Sequence, residues 1–240
     1  MYPPQILKKS ESKLCLSLGN KTVDSLFPGF MMGDFTVLRG SSAVQSFLPT
    51  LCVKAQLPYQ LGGLETNVLF IDGANSFRLY ETSEIAQQWE LDPKQVLEKI
   101  FVSRAFTVYQ LVSLILDKLQ NAVKKYDSKV VILSNLAYLF LDKDVPKQES
   151  EEIFKQVTDY LSSFAQQNKI IMIATHKAYL WSRRAPFFNQ SLCESANVVV
   201  SIKKFKQIPF FILEKHPFLQ LGKVEFFSSN KCTLLDFVKG

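Results

Sequence analysis

The chain has 240 residues, 47% of them hydrophobic, and a formal net charge of +6 at neutral pH. That length and hydrophobic content suffice for one domain with a large core, and no apolar run approaches the roughly 18 residues of a membrane span. Four dispersed cysteines without a CxxC pair, and only two histidines, argue against a metal site and for a reducing compartment. The first residues also lack the apolar core of a secretory signal, so we expect a soluble intracellular protein of the cytoplasm, nucleus or nucleoid.

Four short apolar runs predict the strands of a parallel sheet. They are Phe35–Leu38, Val68–Ile71, Val130–Leu133 and Ile170–Ile173. Each run is continuous rather than alternating, which is typical of strands covered by helices on both faces. From about Asn197 onward, shorter runs separated by turns predict an antiparallel extension of the same sheet. Since no linker composition interrupts the pattern, we expect an N-terminal arm over residues 1–15 and a single core domain over residues 16–240.

Helical patterns lie between the predicted strands. Apolar residues recur at helical spacing from Tyr109 to Ala122. Ser150 is predicted as the N-cap of a second helix, with Glu151 and Glu152 in its first turn. The alternation of strand and helix predicts an α/β fold with right-handed crossovers.

The stretch Val37–Leu48 runs from a strand through small residues into a helical pattern, an arrangement that usually grips phosphate. A P-loop consists of glycine, four residues, glycine, lysine and a hydroxyl residue, and its backbone N–H groups and lysine bind the phosphates. Here only Gly40 fits, because Gln45 falls on the second glycine, Ser46 on the lysine and Phe47 on the hydroxyl residue. Two interpretations are open: a nucleotide site that has lost its chemistry, or a turn that never bound nucleotide.

The excess positive charge is concentrated in one segment of the chain. Between Lys169 and Lys206 there are seven basic residues and one acid, Glu194, a difference that equals the net charge of the whole chain. This segment is a candidate anion-binding face, although a solvated basic surface accounts for the same composition.

Six segments occur in an order that is typical of one family. They are LGNKTVDSLFPGFMMGDFTVLRG, GGLETNVLFIDGANSFR, LDPKQVLEKIFVSRAF, VVILSN, IIMIATHK and ANVVVSIKKFKQIPFFILEKHPF. Together they resemble the RecA-like core of RadA-type strand-exchange recombinases and their paralogues over roughly residues 16–230. The resemblance implies a RecA-like P-loop ATPase core fold of the α/β class, with a central, mostly parallel sheet flanked by helices and a C-terminal antiparallel extension.

The resemblance also allows the catalytic positions to be compared. RecA-like ATPases use a P-loop lysine on the phosphates, a strand-end aspartate in the magnesium shell and a glutamate that orients the attacking water. Here no lysine lies between Lys21 and Lys54, and a register with a shorter loop places Val44 at the lysine position. Ser134 stands where the aspartate belongs, and Ala74 replaces the glutamate. The resemblance therefore implies degenerate Walker A and Walker B motifs, no cofactor and no ATP hydrolysis.

Three further residues are interpreted as structural. Asp72 and Arg78 resemble survivors of the family pattern and are expected to serve local hydrogen bonding. Phe47 lies where phosphate would bind, which predicts a pocket filled with apolar side chains.

The resemblance places a DNA-facing loop after the strand IIMIATHK, inside the basic segment. Basic side chains there can neutralise phosphates, and aromatic faces can stack on unpaired bases. The candidate contacts with single-stranded DNA are Lys177, Tyr179, Trp181, Arg183 and Arg184. The alternative is that the aromatic residues pack on the core or on a partner protein.

Two other regions are expected to meet a partner protein. In the family, residues near the end of the core cover the nucleotide of the neighbouring subunit, and Lys215 stands where an aspartate is usual, so it could reach a partner's phosphates. The alternative for Lys215 is an ordinary surface lysine. The VSRAF segment, with Val102, Ala105 and Phe106, resembles the docking surface for a linker motif of the next subunit.

These observations favour a non-catalytic recombinase paralogue that acts as an accessory factor in homologous recombination and DNA repair. Its expected partners are a RadA-type recombinase or another recombinase paralogue, single-stranded DNA, or both. Two alternatives stay open, namely an ATPase with an unorthodox nucleotide site and a structural subunit of a repair complex without DNA affinity.

Overall fold

The fold is organised around one eight-stranded sheet. The computed structural model describes residues 15–40, 42–177, 182–206 and 208–226. The strands are β1 (Cys15–Leu16), β2 (Phe30–Met31), β3 (Phe35–Gly40), β4 (Asn67–Asp72), β5 (Ile100–Arg104), β6 (Ser128–Ser134), β7 (Ile171–Lys177), β8 (Val198–Phe205), β9 (Ile208–Lys215) and β10 (Gly222–Glu225). The α-helices are α1 (Lys21–Leu26), α2 (Phe47–Lys54), α3 (Leu79–Gln88), α4 (Pro93–Glu98), α5 (Val108–Ser113), α6 (Leu119–Lys125), α7 (Lys147–Asn168) and α8 (Ala185–Ser195).

The large sheet has the order β10-β9-β8-β3-β7-β6-β4-β5. From β8 to β5 all neighbours are parallel, whereas β9 and β10 add as antiparallel strands at the other edge. The four predicted apolar runs form parts of β3, β4, β6 and β7, and only Ile170 of the fourth run falls just before its strand. This architecture confirms the predicted RecA-like α/β fold, with a mostly parallel sheet and a C-terminal antiparallel extension. The separate strands β1 and β2 form a small antiparallel pair.

Each face of the sheet carries its own hydrophobic core. On one face, α5 to α8 close over the odd-numbered residues of β3, and Phe154 packs between Phe140 and Phe188 with ring centroids 4.8 and 4.7 Å apart. On the other face, α1 to α4 cover the sheet around Leu51 and Phe70. Burial on both faces explains why the central strands are continuously apolar.

The helices depart from the sequence prediction in two places. The predicted segment from Tyr109 onward forms α5 and α6, but a π turn at Leu114–Lys118 lies between them. The prediction of Ser150 as an N-cap is wrong, because α7 begins at Lys147 directly after Pro146. Proline has a backbone angle suited to a helix start, and the Ser150 hydroxyl instead donates to the Phe140 carbonyl oxygen at 2.9 Å.

The carboxyl ends of the parallel strands meet along one edge of the sheet, and the loops that follow them contain most of the candidate site residues. The predicted N-terminal arm falls almost entirely outside the described residues. Within the described ranges, none of the helices has both the length and the apolar character needed to cross a bilayer.

Candidate functional site

The loop at the phosphate position is short and tightly packed. β3 ends at Gly40, a 3₁₀ turn spans Ser42–Ser46, and α2 begins directly at Phe47. Gly40 has φ of +142°, and a Cβ atom at this position would collide with the backbone of Ile202 in the neighbouring strand β8. The local reason for glycine here is therefore the close approach of two strands.

The side chain of Gln45 is buried at this point and joins the ends of two strands. Its Nε2 donates to Oδ1 of Asn135 at 2.9 Å and to Oγ1 of Thr175 at 3.2 Å. The Ser134 hydroxyl donates to Gln45 Oε1 at 3.2 Å, and the Asn135 backbone N–H donates to Thr175 Oγ1 at 2.8 Å. Gln45 is only 8% exposed, so these bonds satisfy polar groups that water reaches poorly.

The expectation of a pocket filled with apolar side chains is only half right. Val44 and Phe47 are buried in the hydrophobic cluster on the α2 face, and the Phe47 ring lies 4.8 Å from the ring of Phe226. The side chain of Gln45, however, contributes a polar network. The physical reason is that the polar ends of β6 and β7 need hydrogen-bond partners once they are buried.

The Asp72 carboxylate is fully buried and shapes the turn after β4. It accepts hydrogen bonds from the backbone N–H groups of Ala74 at 3.3 Å, Ser76 at 2.8 Å and Phe77 at 3.0 Å. The Ser76 hydroxyl donates to the same carboxylate at 3.0 Å and also contacts the Ser134 hydroxyl. Both Asp72 oxygens are thus used locally, which confirms the expectation that this residue serves local hydrogen bonding.

Arg78 also serves local structure, because its guanidinium pairs with Glu81 at 2.8 Å one turn along α3. Among the described residues there is no group of three or more histidine, cysteine or acidic side chains placed to hold a metal ion.

The candidate DNA contacts differ in their surroundings. Lys177 at the end of β7 and Arg183 before α8 are exposed. Arg184 is half-buried, and its Nη1 donates to the carbonyl oxygens of Asp142 at 2.9 Å and Val145 at 2.8 Å. The guanidinium of Arg184 therefore ties the start of α8 to the segment after β6. The remaining two candidates, Tyr179 and Trp181, lie outside the described residues.

The candidate partner residues lie at opposite ends of the sheet. β5 is the last strand of the described sheet on its side; Val102 within it is partly buried, Ala105 just after it is buried, and Phe106 is 72% exposed. At the other end, Lys215 donates from Nζ to the carbonyl oxygens of Cys193 at 3.1 Å and Glu194 at 3.0 Å. The positive charge of Lys215 at these carbonyls, in the last turn of α8, interacts favourably with the helix dipole. Lys215 therefore has a structural role within its own chain.

A cluster that the sequence did not indicate surrounds the end of β3. Arg39 forms an ion pair with Glu214 of β9 at 2.6 Å, and the Ser201 hydroxyl donates to the same carboxylate at 2.8 Å. His176 lies beside Arg39 in the sheet register and is buried. Burial, together with the positive charge of Arg39, lowers the pKa of His176 to about 4.

A sequence profile described as Rad51 matches residues 9–182, which is more than half of the chain. This chain belongs to the Rad51 family.

Named relatives of this Rad51-family chain are recombination and repair proteins. The meiotic recombination protein DMC1 of Saccharomyces cerevisiae is 30% identical over 129 residues, which cover 50% of this chain and 37% of the relative. The DNA repair and recombination protein RadA of Cenarchaeum symbiosum is 30% identical over 144 residues, or 57% and 35%. The DNA repair protein RAD51 of Saccharomyces cerevisiae is 34% identical over 103 residues, or 42% and 26%. The chain thus spans about a third of the length of the curated relatives it matches.

The Rad51 match covers the phosphate-loop position and the network around Gln45, and it ends before Arg183, Arg184 and Lys215. Sequence reasoning identified Gln45 only as a misfit to the P-loop. Its partners Asn135 and Thr175 were missed; the polar residues that follow the apolar runs of β6 and β7 mark the ends of these runs, but not the contact with Gln45.

Proposed function

We propose that this Rad51-family chain is a non-catalytic recombinase paralogue that acts as an accessory factor in homologous recombination and repair. The observation that carries the proposal is the buried amide of Gln45, bonded to Ser134, Asn135 and Thr175. The Gln45 side chain forms hydrogen bonds with the polar groups at the strand ends, which would face the nucleotide in a P-loop ATPase.

The chemistry of this site supports the same proposal. Phosphoryl transfer depends on cations and on an oriented water, because negative charge must be stabilised in the transition state. The side chains bonded to Gln45 are all uncharged. The Asp72 carboxylate, linked to this network through Ser76 and Ser134, is already bound by the backbone N–H groups of the turn that follows it. Ser134 and Ala74 stand where the family pattern has its acidic residues.

In this proposal, function lies in binding. Lys177 and Arg183 are exposed and can neutralise phosphates of single-stranded DNA, while Arg184 holds the start of α8 next to Arg183. The end of β5 with the exposed ring of Phe106 is a surface on which an active recombinase can dock. The accessory role therefore combines contact with DNA and contact with a recombinase.

A nucleotide titration tests the catalytic part of the proposal. A fluorescent ATP analogue with magnesium should give no saturable signal, and phosphate release should equal that of a blank. Binding at micromolar concentrations, lost on a substitution such as Gln45→Leu that fills the same space, would favour an ATPase with an unorthodox site.

Mobility-shift measurements test the binding part. We expect a salt-sensitive shift of short single strands and co-migration with an active Rad51-family recombinase. If neither complex forms, the chain is a structural subunit without DNA affinity.

A further inference from the structure

The antiparallel extension leaves one of its faces uncovered. In β8 and β9, Ile202, Phe211 and Leu213 point into the core on the α1 side. Alternate residues therefore point to the other side, where Lys203 pairs with Phe210, and Phe205 with Ile208, across the two strands. We call Lys203, Phe205, Ile208, Phe210, Ile212 and Lys223 the hairpin face.

The centre of the hairpin face is apolar and open to solvent. Phe205 is 50% exposed and Ile208 is 38% exposed, while Phe210 and Ile212 are half-buried. The outer face of an antiparallel sheet is ordinarily polar, so an exposed apolar centre rimmed by charges is a feature of interaction sites.

Lysines surround this apolar centre. Lys203 and Lys223 lie on the face, and Lys204 and Lys206 are exposed beside it. Among the described residues of β9 and β10 on this side, Glu214 is paired with Arg39 at 2.6 Å and with Lys203 at 3.2 Å. This leaves Glu225, opposite Phe210, against the exposed lysines Lys204, Lys206 and Lys223. The surface therefore favours a negatively charged partner.

The geometry of the rings favours a peptide over nucleic acid. Phe205 and Phe210 meet edge to face, with centroids 5.5 Å apart and planes at 77°. The Lys223 ammonium lies 6.0 and 5.7 Å from the two ring centroids. The two rings are thus perpendicular and do not form a row of parallel faces on which successive bases stack, whereas aliphatic and aromatic side chains can pack among Phe205, Ile208 and Ile212.

The chain's own ends do not match this surface in charge. Residues 1–14 contain three lysines and one glutamate, and residues 227–240 contain two lysines and one aspartate. Both segments carry net positive charge, so they are poor complements to a lysine-rimmed face.

We propose that the hairpin face binds an acidic segment of a partner protein that carries apolar side chains. The lysines receive its carboxylates, and the centre around Phe205 and Ile208 buries its aliphatic or aromatic residues. This site lies at the opposite edge of the sheet from β5 and is independent of the proposed function.

A display library of random 16-residue peptides, panned on the full chain, tests the proposal. We expect enrichment of acidic peptides with aromatic or aliphatic residues, measured against Phe205→Ser plus Ile208→Ser as the counter-selection protein. An enriched peptide should bind this double variant at least about tenfold more weakly, because central apolar residues carry most interface energy. The charge reversal Lys223→Glu, on an exposed strand residue, should weaken it severalfold.

The matched control is Leu79→Ser plus Tyr80→Ser, which removes two exposed apolar side chains elsewhere and should leave peptide binding unchanged. The proposal is overturned if no acidic peptides are enriched over the counter-selection protein. It is also overturned if a 20-nucleotide oligothymidine, rather than any peptide, loses affinity in the double variant. Self-association abolished by the same variant would assign the face to a second copy and overturn it equally.

Discussion

The network around Gln45 and the exposed pair Lys177 and Arg183 both lie near the ends of β6 and β7. Their surroundings differ, because the network is buried and the pair is exposed to solvent. In the first region, buried polar groups are bonded to one another. In the second, positive charges stand in solvent beside a guanidinium that is bound to backbone carbonyls. The difference teaches that polar side chains a few residues apart, near the ends of the same strands, can be fully bonded inside the fold or left exposed to solvent.

The largest effect should come from breaking the buried network. Gln45→Leu keeps the volume but removes the hydrogen bonds of Gln45 to Asn135 Oδ1, Thr175 Oγ1 and the Ser134 hydroxyl, so the free energy of unfolding should fall by about 3 kcal/mol. Urea denaturation measures this. Ser46→Ala, at the exposed neighbouring position, is the control and should change stability by less than about 0.5 kcal/mol. Equal stabilities for the two variants would contradict a structural role for the amide.

A second prediction concerns pH. Because the pKa of His176 is lowered from 6.5 to about 4, the unfolded chain binds a proton that the folded chain does not between these values. Stability should therefore fall as pH falls through this window, with about 2 kcal/mol of the loss from His176 between pH 7 and pH 5. Urea denaturation at both pH values should show a smaller loss for His176→Gln. His216 is present in both proteins, so the difference reports on His176 alone.

Arg183 and Arg184 are adjacent in the sequence, but Arg183 is exposed whereas Arg184 is bonded to backbone carbonyls. Arg184→Ala removes two hydrogen bonds from a charged donor and should lower the free energy of unfolding by about 1–2 kcal/mol. Arg183→Ala should leave stability within about 0.5 kcal/mol, because its side chain is exposed. Identical losses in thermal or urea denaturation would show that the distinction between the two arginines is wrong.

The last prediction concerns two exposed residues, whose substitution should change stability least but should weaken DNA binding. Lys177→Ala plus Arg183→Ala should weaken binding to single-stranded DNA and reduce the slope of log affinity against log salt by about 1 to 1.5. Fluorescence anisotropy at several salt concentrations measures both. Lys155→Ala plus Lys147→Ala, on the exposed face of α7, is the control of equal charge. An unchanged slope would remove Lys177 and Arg183 from the DNA-binding surface.

The sequence predicted the parallel sheet well, because continuous apolar runs such as Val130–Leu133 result from burial on both faces. The local role of Asp72 was also accessible, since its partners lie within five residues. The partners of Gln45 were not, because they lie 90 and 130 residues away and are brought together only by the crossover connections. The anchoring of Arg184 and Lys215 on backbone carbonyls could not be predicted for the same reason.

The network of Gln45 has an evolutionary consequence. A lysine at this position alone would bury an ammonium among the uncharged side chains of Ser134, Asn135 and Thr175, while the Asp72 carboxylate is bound by the backbone of its own turn. Loss of the glutamine alone would remove one hydrogen-bond partner from each of Ser134, Asn135 and Thr175. Under the proposed function, nucleotide chemistry could therefore return only through several simultaneous substitutions, because each single change in the network lowers stability.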